Sequence, residues 1–159
     1  MTIEDALHHL NSIPLYYIEL GVITTHSGRK HTVTAGVGIT NAELMFIHEF
    51  GSPLNNIPAR PVLQMTLQWA RQTLFNKSLS KALELYLESF ELKKFEEELE
   101  RMCLKIERYA RKLIYSNDGR LAPNAPSTVA AKGFNHPLFQ TGQLARSITC
   151  RLVKAQEGG

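Results

Sequence analysis

The chain has 159 residues, enough for one domain with a buried core, and its net charge is only +3. Its hydrophobic content of 43% and charged content of 21% are ordinary for a globular protein and argue against wholesale disorder. No apolar run approaches the ~20 residues of a membrane span, the polar N-terminus is unlike a secretory signal, and two cysteines without metal spacing favour a reducing intracellular compartment.

The chain before Gly51 predicts two helices around a β-hairpin. Thr2 is a suitable N-cap, Pro14 ends the first helical pattern, and Thr40 with Asn41 is a helix start signal. The strands are recognised by β-branched and aromatic residues or by alternating polarity. In chain order these elements are a helix over 2–10, a strand over 16–25, a turn over 27–30, a strand over 32–39 and a helix from 40 to about 50.

Residues 57–61 form a segment that we call the strut. Gly51 stops the preceding helix, and Pro58 and Pro61 set φ to about −65° and keep the residues before them out of the α region. The strut should therefore be stiff and extended, with the Arg60 side chain projecting. Because an extended segment makes no local backbone hydrogen bonds, it must lie on the body of the fold or on a neighbouring chain.

The middle of the chain predicts helices. Residues 62–75 form one of them, and residues 76–80 predict a break with Ser80 as the next cap. The longest helix has one apolar stripe with alternating spacings of three and four, and burial of each side chain contributes ~1.5–3 kcal/mol gross. The stripe consists of Leu92, Phe95, Leu99, Met102, Ile106, Tyr109 and Leu113.

Residues 79–90, just before that stripe, are apolar on more than one side. The apolar side chains include Leu83, Tyr86, Leu87 and Phe90. A helix with one solvent-exposed face has apolar residues on only one side. The segment is therefore either buried on both sides within the fold or in contact with another chain.

The C-terminal part predicts a turn at 117–119, a proline-punctuated loop over 120–141, a short helix and a closing strand over 148–153. Within the loop, residues 127–132 form one helical turn that Gly133 stops. A long structured loop is usually functional or packed on a partner. Thr141 is the expected N-cap of the short helix. We treat residues 1–159 as one α+β domain, with an N-terminal segment over 1–14 and a fraying tail over 154–159.

Charge is distributed unevenly along the chain. Residues 81–100 carry three Lys against seven Glu, a net of −4, whereas residues 101–159 carry ten Lys and Arg against three acids, a net of +7. Such asymmetry can mark a nucleic-acid surface or one face of a charge-complementary assembly, and two solvated helix faces explain it more simply. If the basic part faces DNA, the candidate residues are Arg101, Arg108 and Arg111.

No motif indicates catalysis or a metal site. His48 and Glu49 begin a zinc-protease pattern, but Ser52 stands where the second histidine is required. The proline spacing of the strut matches a polyproline ligand, although its apolar flanks favour a structural role. Cys103 and Cys150 are expected to be buried as small hydrophobic residues without a strong nucleophile context.

Three segments, in this order and separated by a long helical stretch, carry a family resemblance. They are Ile47-His-Glu-Phe-Gly51 followed by Ile57-Pro-Ala-Arg-Pro61, then Asn124-Ala-Pro-Ser-Thr-Val-Ala-Ala-Lys-Gly133, then Pro137-Leu-Phe-Gln-Thr-Gly-Gln-Leu-Ala-Arg-Ser-Ile148. Together they resemble the tail-completion or neck proteins of tailed bacteriophages, which are minor tail and virion morphogenesis proteins. The matching parts are residues 33–63 and 113–153. The chain has Val62 and Leu63 where the family tends to have a Phe-Leu pair, which leaves open which ring it would form.

The resemblance implies a small antiparallel sheet packed against a long amphipathic helix, with additional short helices. It implies a ring-forming virion protein at the head–tail junction or tail end, with no catalytic role and no cofactor. The expected partners are further copies in a sixfold or twelvefold ring, neighbouring head-completion or portal-side and tail proteins, and DNA in the channel, but no membrane. The expected location is the virion, and the host cytoplasm during assembly.

The resemblance also assigns structural or subunit-contact roles to individual positions. These positions are Gly51, Pro58, Arg60, Pro61, Thr141, Gly142, Leu144 and Ser147. A ring needs two different adhesive surfaces, for which residues 79–90 and the loop over 120–141 are the candidates. A basic nucleic-acid-binding accessory protein is the alternative, supported by charge alone. A small enzyme is the third hypothesis, for which the sequence offers no nucleophile–base pair or ligand set.

Overall fold

The computed structural model describes residues 2–23, 39–138 and 142–156. Within these ranges the chain is an α+β fold with seven α-helices and a two-stranded antiparallel sheet, which confirms the predicted fold class. In chain order the elements are α1 (Ile3–Asn11), β1 (Tyr16–Val22), α2 (Asn41–Phe50), a 3-10 turn (Pro53–Asn55), α3 (Val62–Thr73), α4 (Phe75–Ser89), α5 (Leu92–Ser116), α6 (Pro126–Lys132), α7 (Gln143–Ser147) and β2 (Ile148–Lys154). No helix in the described ranges is long and apolar enough to cross a membrane.

The sheet joins the two ends of the chain. β1 pairs with β2 in a register that runs from Tyr16 opposite Lys154 to Val22 opposite Ile148. The predicted closing strand is therefore confirmed. The predicted turn over 27–30 and the predicted strand over 32–39, apart from Ile39, lie outside the described residues.

The long helix α5 is the centre of the core, and its predicted stripe is confirmed. Phe95, Leu99, Met102, Ile106 and Leu113 are each at most 6% exposed. The N-terminal half of the helix packs with α3, α4 and the sheet, and its C-terminal half packs with α2, α3, α7 and the start of β2. One continuous amphipathic helix thus supports both halves of the domain.

Local signals place most helix ends correctly. Thr2 and Thr40 each form a capping box, with Asp5 and Glu43 as the reciprocal partners. The predicted break over 76–80 is wrong, because α4 starts at Phe75 and continues through this segment. Ser78 is 4% exposed within α4, and the packing of this turn against α5 outweighs the weak helix propensity of its polar residues.

Candidate interaction surfaces

The strut lies against the end of α2, and Gly51 makes this contact possible. The φ angle of Gly51 is +74°, and a Cβ atom there would lie 2.8 Å from Ala59 N and 2.9 Å from Ile57 O. Ser52 and Ile57 exchange two backbone hydrogen bonds of 2.8 and 3.0 Å, which close the intervening loop. A side chain at position 51 would therefore push the strut away from α2.

Arg60 anchors the strut from the inside, so the prediction that its side chain projects is wrong. The residue is 4% exposed. Its guanidinium donates hydrogen bonds of 2.7 Å to the carbonyl oxygens of Ala122 and of Pro123, and Nη1 lies 3.2 Å from Nδ1 of His48. The prolines fix the extended backbone but do not determine which way the side chain points. The fixed fork of guanidinium donors suits the paired carbonyls, and it joins the strut to the loop after α5.

His48 is held neutral beside Arg60. Burial lowers the pKa of His48 to about 4, and the positive charges of Arg60 and Lys132 add to this effect. A neutral imidazole can accept the Arg60 N–H at Nδ1, whereas an imidazolium cannot. The contact between α2 and the strut is therefore expected to weaken in acid.

Glu49, the second residue of the apparent zinc motif, caps a helix. Its carboxylate oxygens accept hydrogen bonds from the backbone N–H groups of Leu63 at 2.9 Å and Gln64 at 2.8 Å. These N–H groups lie in the first turn of α3 and so have no partner within the helix. The described residues contain no cluster of three or more metal-ligating side chains. His48 therefore connects α2 to the strut, and Glu49 connects α2 to the start of α3.

Large apolar side chains are exposed around α2 and the adjoining loop. Phe46 is 65% exposed, Phe50 is 68% exposed, and their rings pack together with centroids 4.9 Å apart. Leu54 is 97% exposed at the tip of the hydrogen-bonded loop before the strut. We call these three residues the α2 face. They are the kind of apolar patch that marks a binding surface.

Phe46 and Phe50 of the α2 face line an open groove of about 1270 Å³ between β1, α2 and α3. The groove is lined by apolar side chains, among them Val22, Met45 and Leu63, and also by polar ones from α2 and α3. Our sequence predictions did not include this face. No sequence signal marked it, because only the burial of Met45 in the core turns Phe46 and Phe50 outward.

A second exposed apolar patch lies at the other half of the domain. Leu15 is 76% exposed, Tyr17 is 49% exposed and Leu79 is 46% exposed. They line a mainly apolar groove of about 260 Å³ between β1, α4 and α5. We call these three residues the strand-end face.

Residues 79–90 bury one side within the fold, with Ala82 and Tyr86 in the core, and leave Leu79 and Phe90 exposed. Tyr86 is 5% exposed, and its hydroxyl lies 3.1 Å from Oγ of Ser12. Leu83 and Leu87 are partly buried against the same cluster of core side chains. Phe90 is 44% exposed, and its ring packs against His9 of α1.

The loop after α5 packs on its own domain over residues 120–138. Leu121 and Leu138 are core residues that are 8% and 9% exposed. The side-chain oxygen of Asn135 accepts the backbone N–H of Asn124 at 3.1 Å. The predicted helical turn is confirmed as α6, with Gly133 as its left-handed C-cap. Residues 139–141 lie outside the described residues.

The third resembling segment contributes core and helix-end contacts. Leu144 is 5% exposed, and Oγ of Ser147 donates to the Leu144 carbonyl oxygen at 2.6 Å. The N-cap of α7 is Gly142, at a φ of +73°, instead of the predicted Thr141. Thr141 itself lies outside the described residues. Pro61 precedes α3 at its N-cap position and Pro58 is exposed on the strut.

The three candidate DNA-facing arginines have different environments. Arg108 is exposed. Arg101 pairs at 3.0 Å with the buried carboxylate of Glu98. Arg111 pairs at 2.7 Å with Glu107 and donates to the Ile148 carbonyl oxygen at 3.0 Å, so it joins α5 to β2. Arg111 therefore has a structural role that the sequence did not reveal.

No family model, curated protein or solved structure matches the chain. The resemblance to phage tail-completion and neck proteins therefore stays a prediction that rests on the three segments.

Proposed function

We propose that the chain is a structural virion protein of a tailed bacteriophage, a ring-forming subunit that completes the tail or joins it to the head around the DNA channel. The observation that carries the proposal is the convergence of the three resembling segments. Arg60 of the first segment binds the carbonyl groups of Ala122 and Pro123, just before the second segment. Met45, beside the first segment, shares a core cluster with Leu144 of the third.

The distribution of exposed apolar side chains supports ring assembly. A head-to-tail ring joins two different surfaces of each subunit. The α2 face adjoins the core cluster around the C-terminal half of α5, whereas the strand-end face adjoins the cluster around its N-terminal half. These two faces join residues 79–90 and 120–138 as candidate subunit contacts, and the strand-end face includes Leu79 of the first segment.

The proposal predicts where the protein is found and what its loss does. Mass spectrometry should detect the chain in gradient-purified phage particles whose genome encodes it. Deletion of its coding sequence should leave heads and tails that fail to join, or tails with incomplete ends, in negative-stain images. Particles that lack the chain, or normal infectious particles after the deletion, would refute the proposal.

Substitutions on the two faces test the subunit contacts. Leu54→Asp and Leu79→Asp should leave the circular dichroism spectrum and melting temperature unchanged, because both side chains are exposed. Each should lower incorporation into particles by about fivefold or more, since loss of an interface anchor typically costs above 1 kcal/mol. Leu7→Asp is the matched control, because Leu7 is 53% exposed on α1 and belongs to neither face.

A basic line on α5 favours the second candidate, a nucleic-acid-binding accessory protein. The line consists of the exposed residues Arg101, Lys105, Arg108 and Lys112, spaced by four, three and four positions. If each contacts one phosphate, duplex binding by the purified chain should fall with salt at a logarithmic slope of about −3 to −4. The double variant Lys105→Gln/Arg108→Gln removes two of the four charges and should halve that slope. Binding that does not depend on salt would exclude this candidate.

A further inference from the structure

Two buried thiols lie where α5 packs on β2. Cys103 on α5 is 3% exposed and Cys150 on β2 is 7% exposed, and both belong to the same cluster of core side chains. Glu107 lies one turn after Cys103 on the same helix face, and its carboxylate accepts the backbone N–H of Cys150 at 3.1 Å. This contact holds the strand against the helix at the position of the two sulfurs.

A hydrogen bond between the two thiols shifts their pKa values in opposite directions. The Cys150 thiol donates to the sulfur of Cys103 and lowers the pKa of Cys103. The same bond, together with burial, raises the pKa of Cys150. Since the thiolate is the reactive form, Cys103 is the nucleophile of the pair and Cys150 is the partner that keeps its proton longer.

We propose that Cys103 and Cys150 form a modification site that a peroxide converts to an intramolecular disulfide between α5 and β2. The Cys103 thiolate attacks one oxygen of hydrogen peroxide and breaks the O–O bond, which gives a sulfenic acid and hydroxide. The Cys150 sulfur then loses its proton, attacks the Cys103 sulfur and expels the hydroxyl group as water. The two thiols together lose two electrons and two protons, and hydrogen peroxide becomes two water molecules.

The bond would fasten the longest helix to the closing strand. These elements are linked in the folded protein by packing and by the contacts of Glu107 and Arg111. A covalent link restricts the unfolded chain more than the folded one and so raises the melting temperature. The inference rests on the buried thiol pair alone and does not depend on the proposed function.

Non-reducing peptide mapping of the folded full chain after mild hydrogen peroxide treatment tests the inference. The peptides that carry Cys103 and Cys150 should be recovered linked, in monomeric protein, and should separate after treatment with dithiothreitol. The linked protein should melt about 5–15 °C higher than the reduced protein. Hydrogen peroxide also oxidises methionine, so the result is read only from the peptides that contain Cys103 and Cys150.

Two controls show whether the fold brings the thiols together. In Cys150→Ser the Cys103 peptide should carry a sulfenic acid that dimedone traps, because the serine hydroxyl can still donate to the Cys103 sulfur but cannot resolve the sulfenic acid. Wild-type chain treated with peroxide in urea should form the link more slowly than the folded chain. Linkage at equal rates in both states, linkage between chains, over-oxidised cysteines in folded wild type, or thiols that stay unreacted would each overturn the inference.

Discussion

Replacement of Arg60 by methionine is expected to loosen the contact between the strut and the loop after α5. The guanidinium makes two hydrogen bonds of 2.7 Å to the carbonyl oxygens of Ala122 and Pro123, and each charge-assisted bond contributes about 1.5–3 kcal/mol. Both carbonyls belong to residues that are at least partly exposed, so water can replace the donor in part. The expected loss in free energy of unfolding for Arg60→Met is therefore about 2–4 kcal/mol.

Urea unfolding followed by the fluorescence of Trp69 measures this loss. Trp69 is the single tryptophan and stacks on Tyr109 with ring centroids 4.0 Å apart, so its emission should report the integrity of the core. The midpoint should fall by about 1–2 M for an m-value near 2 kcal/mol per M. Arg60→Lys should lose most of the same stability, since an ammonium does not reproduce the guanidinium fork.

The control for charge and size is Arg71→Met, because Arg71 is exposed on α3. Its free energy of unfolding should change by no more than about 0.5 kcal/mol. If Arg60→Met and Arg71→Met proved equally mild, the assignment of Arg60 as an internal anchor would be wrong. A large loss at Arg60 alone would support it.

Three further results are expected in the same unfolding assay. Gly51→Ala should lower the free energy of unfolding by at least about 2 kcal/mol, and Gly133→Ala by only about 1 kcal/mol. Both glycines have a positive φ, but an added Cβ would meet backbone atoms at Gly51 and none at Gly133. Equal losses would contradict this account. His48→Gln should flatten the pH dependence of stability. The His48 pKa of about 4 lies below its ordinary value of 6.5, so its contribution is complete above pH 6.5 and is lost, by up to about 3 kcal/mol, as pH falls toward 4; an unchanged profile would argue against it. Leu99→Glu should abolish cooperative unfolding and near-ultraviolet circular dichroism, because it puts a carboxylate at a core position that is 6% exposed; a native-like spectrum would contradict the core assignment.

Residues that act on their own immediate neighbours were predictable. Thr2 and Thr40 cap the helices they precede, and Gly133 ends α6 as expected. Gly51 was correctly predicted to end a helix. The sequence did not reveal that the backbone of Ala59 lies so close to Gly51 that only a glycine fits there. Signals of this kind work within one turn of a helix and so survive in any tertiary setting.

The candidate surfaces were predicted less well, since exposure depends on what the rest of the chain covers. Residues 79–90 were expected to be buried on both sides or to contact another chain, and the fold covers Ala82 and Tyr86 but leaves Leu79 and Phe90 exposed. The α2 face was missed because a phenylalanine in an amphipathic helix is more often buried than exposed. Only the packing of Met45 into the core shows that Phe46 and Phe50 are left outside.

The sequence by itself determined the α+β class, the α5 stripe and most helix ends, because periodicity and capping act over a few residues. The tertiary structure decided that Arg60 points inward, that β1 pairs with β2, and that Cys103 and Cys150 share one core cluster. Each of these contacts joins residues that are dozens of positions apart, and their choice depends on how the helices pack around α5.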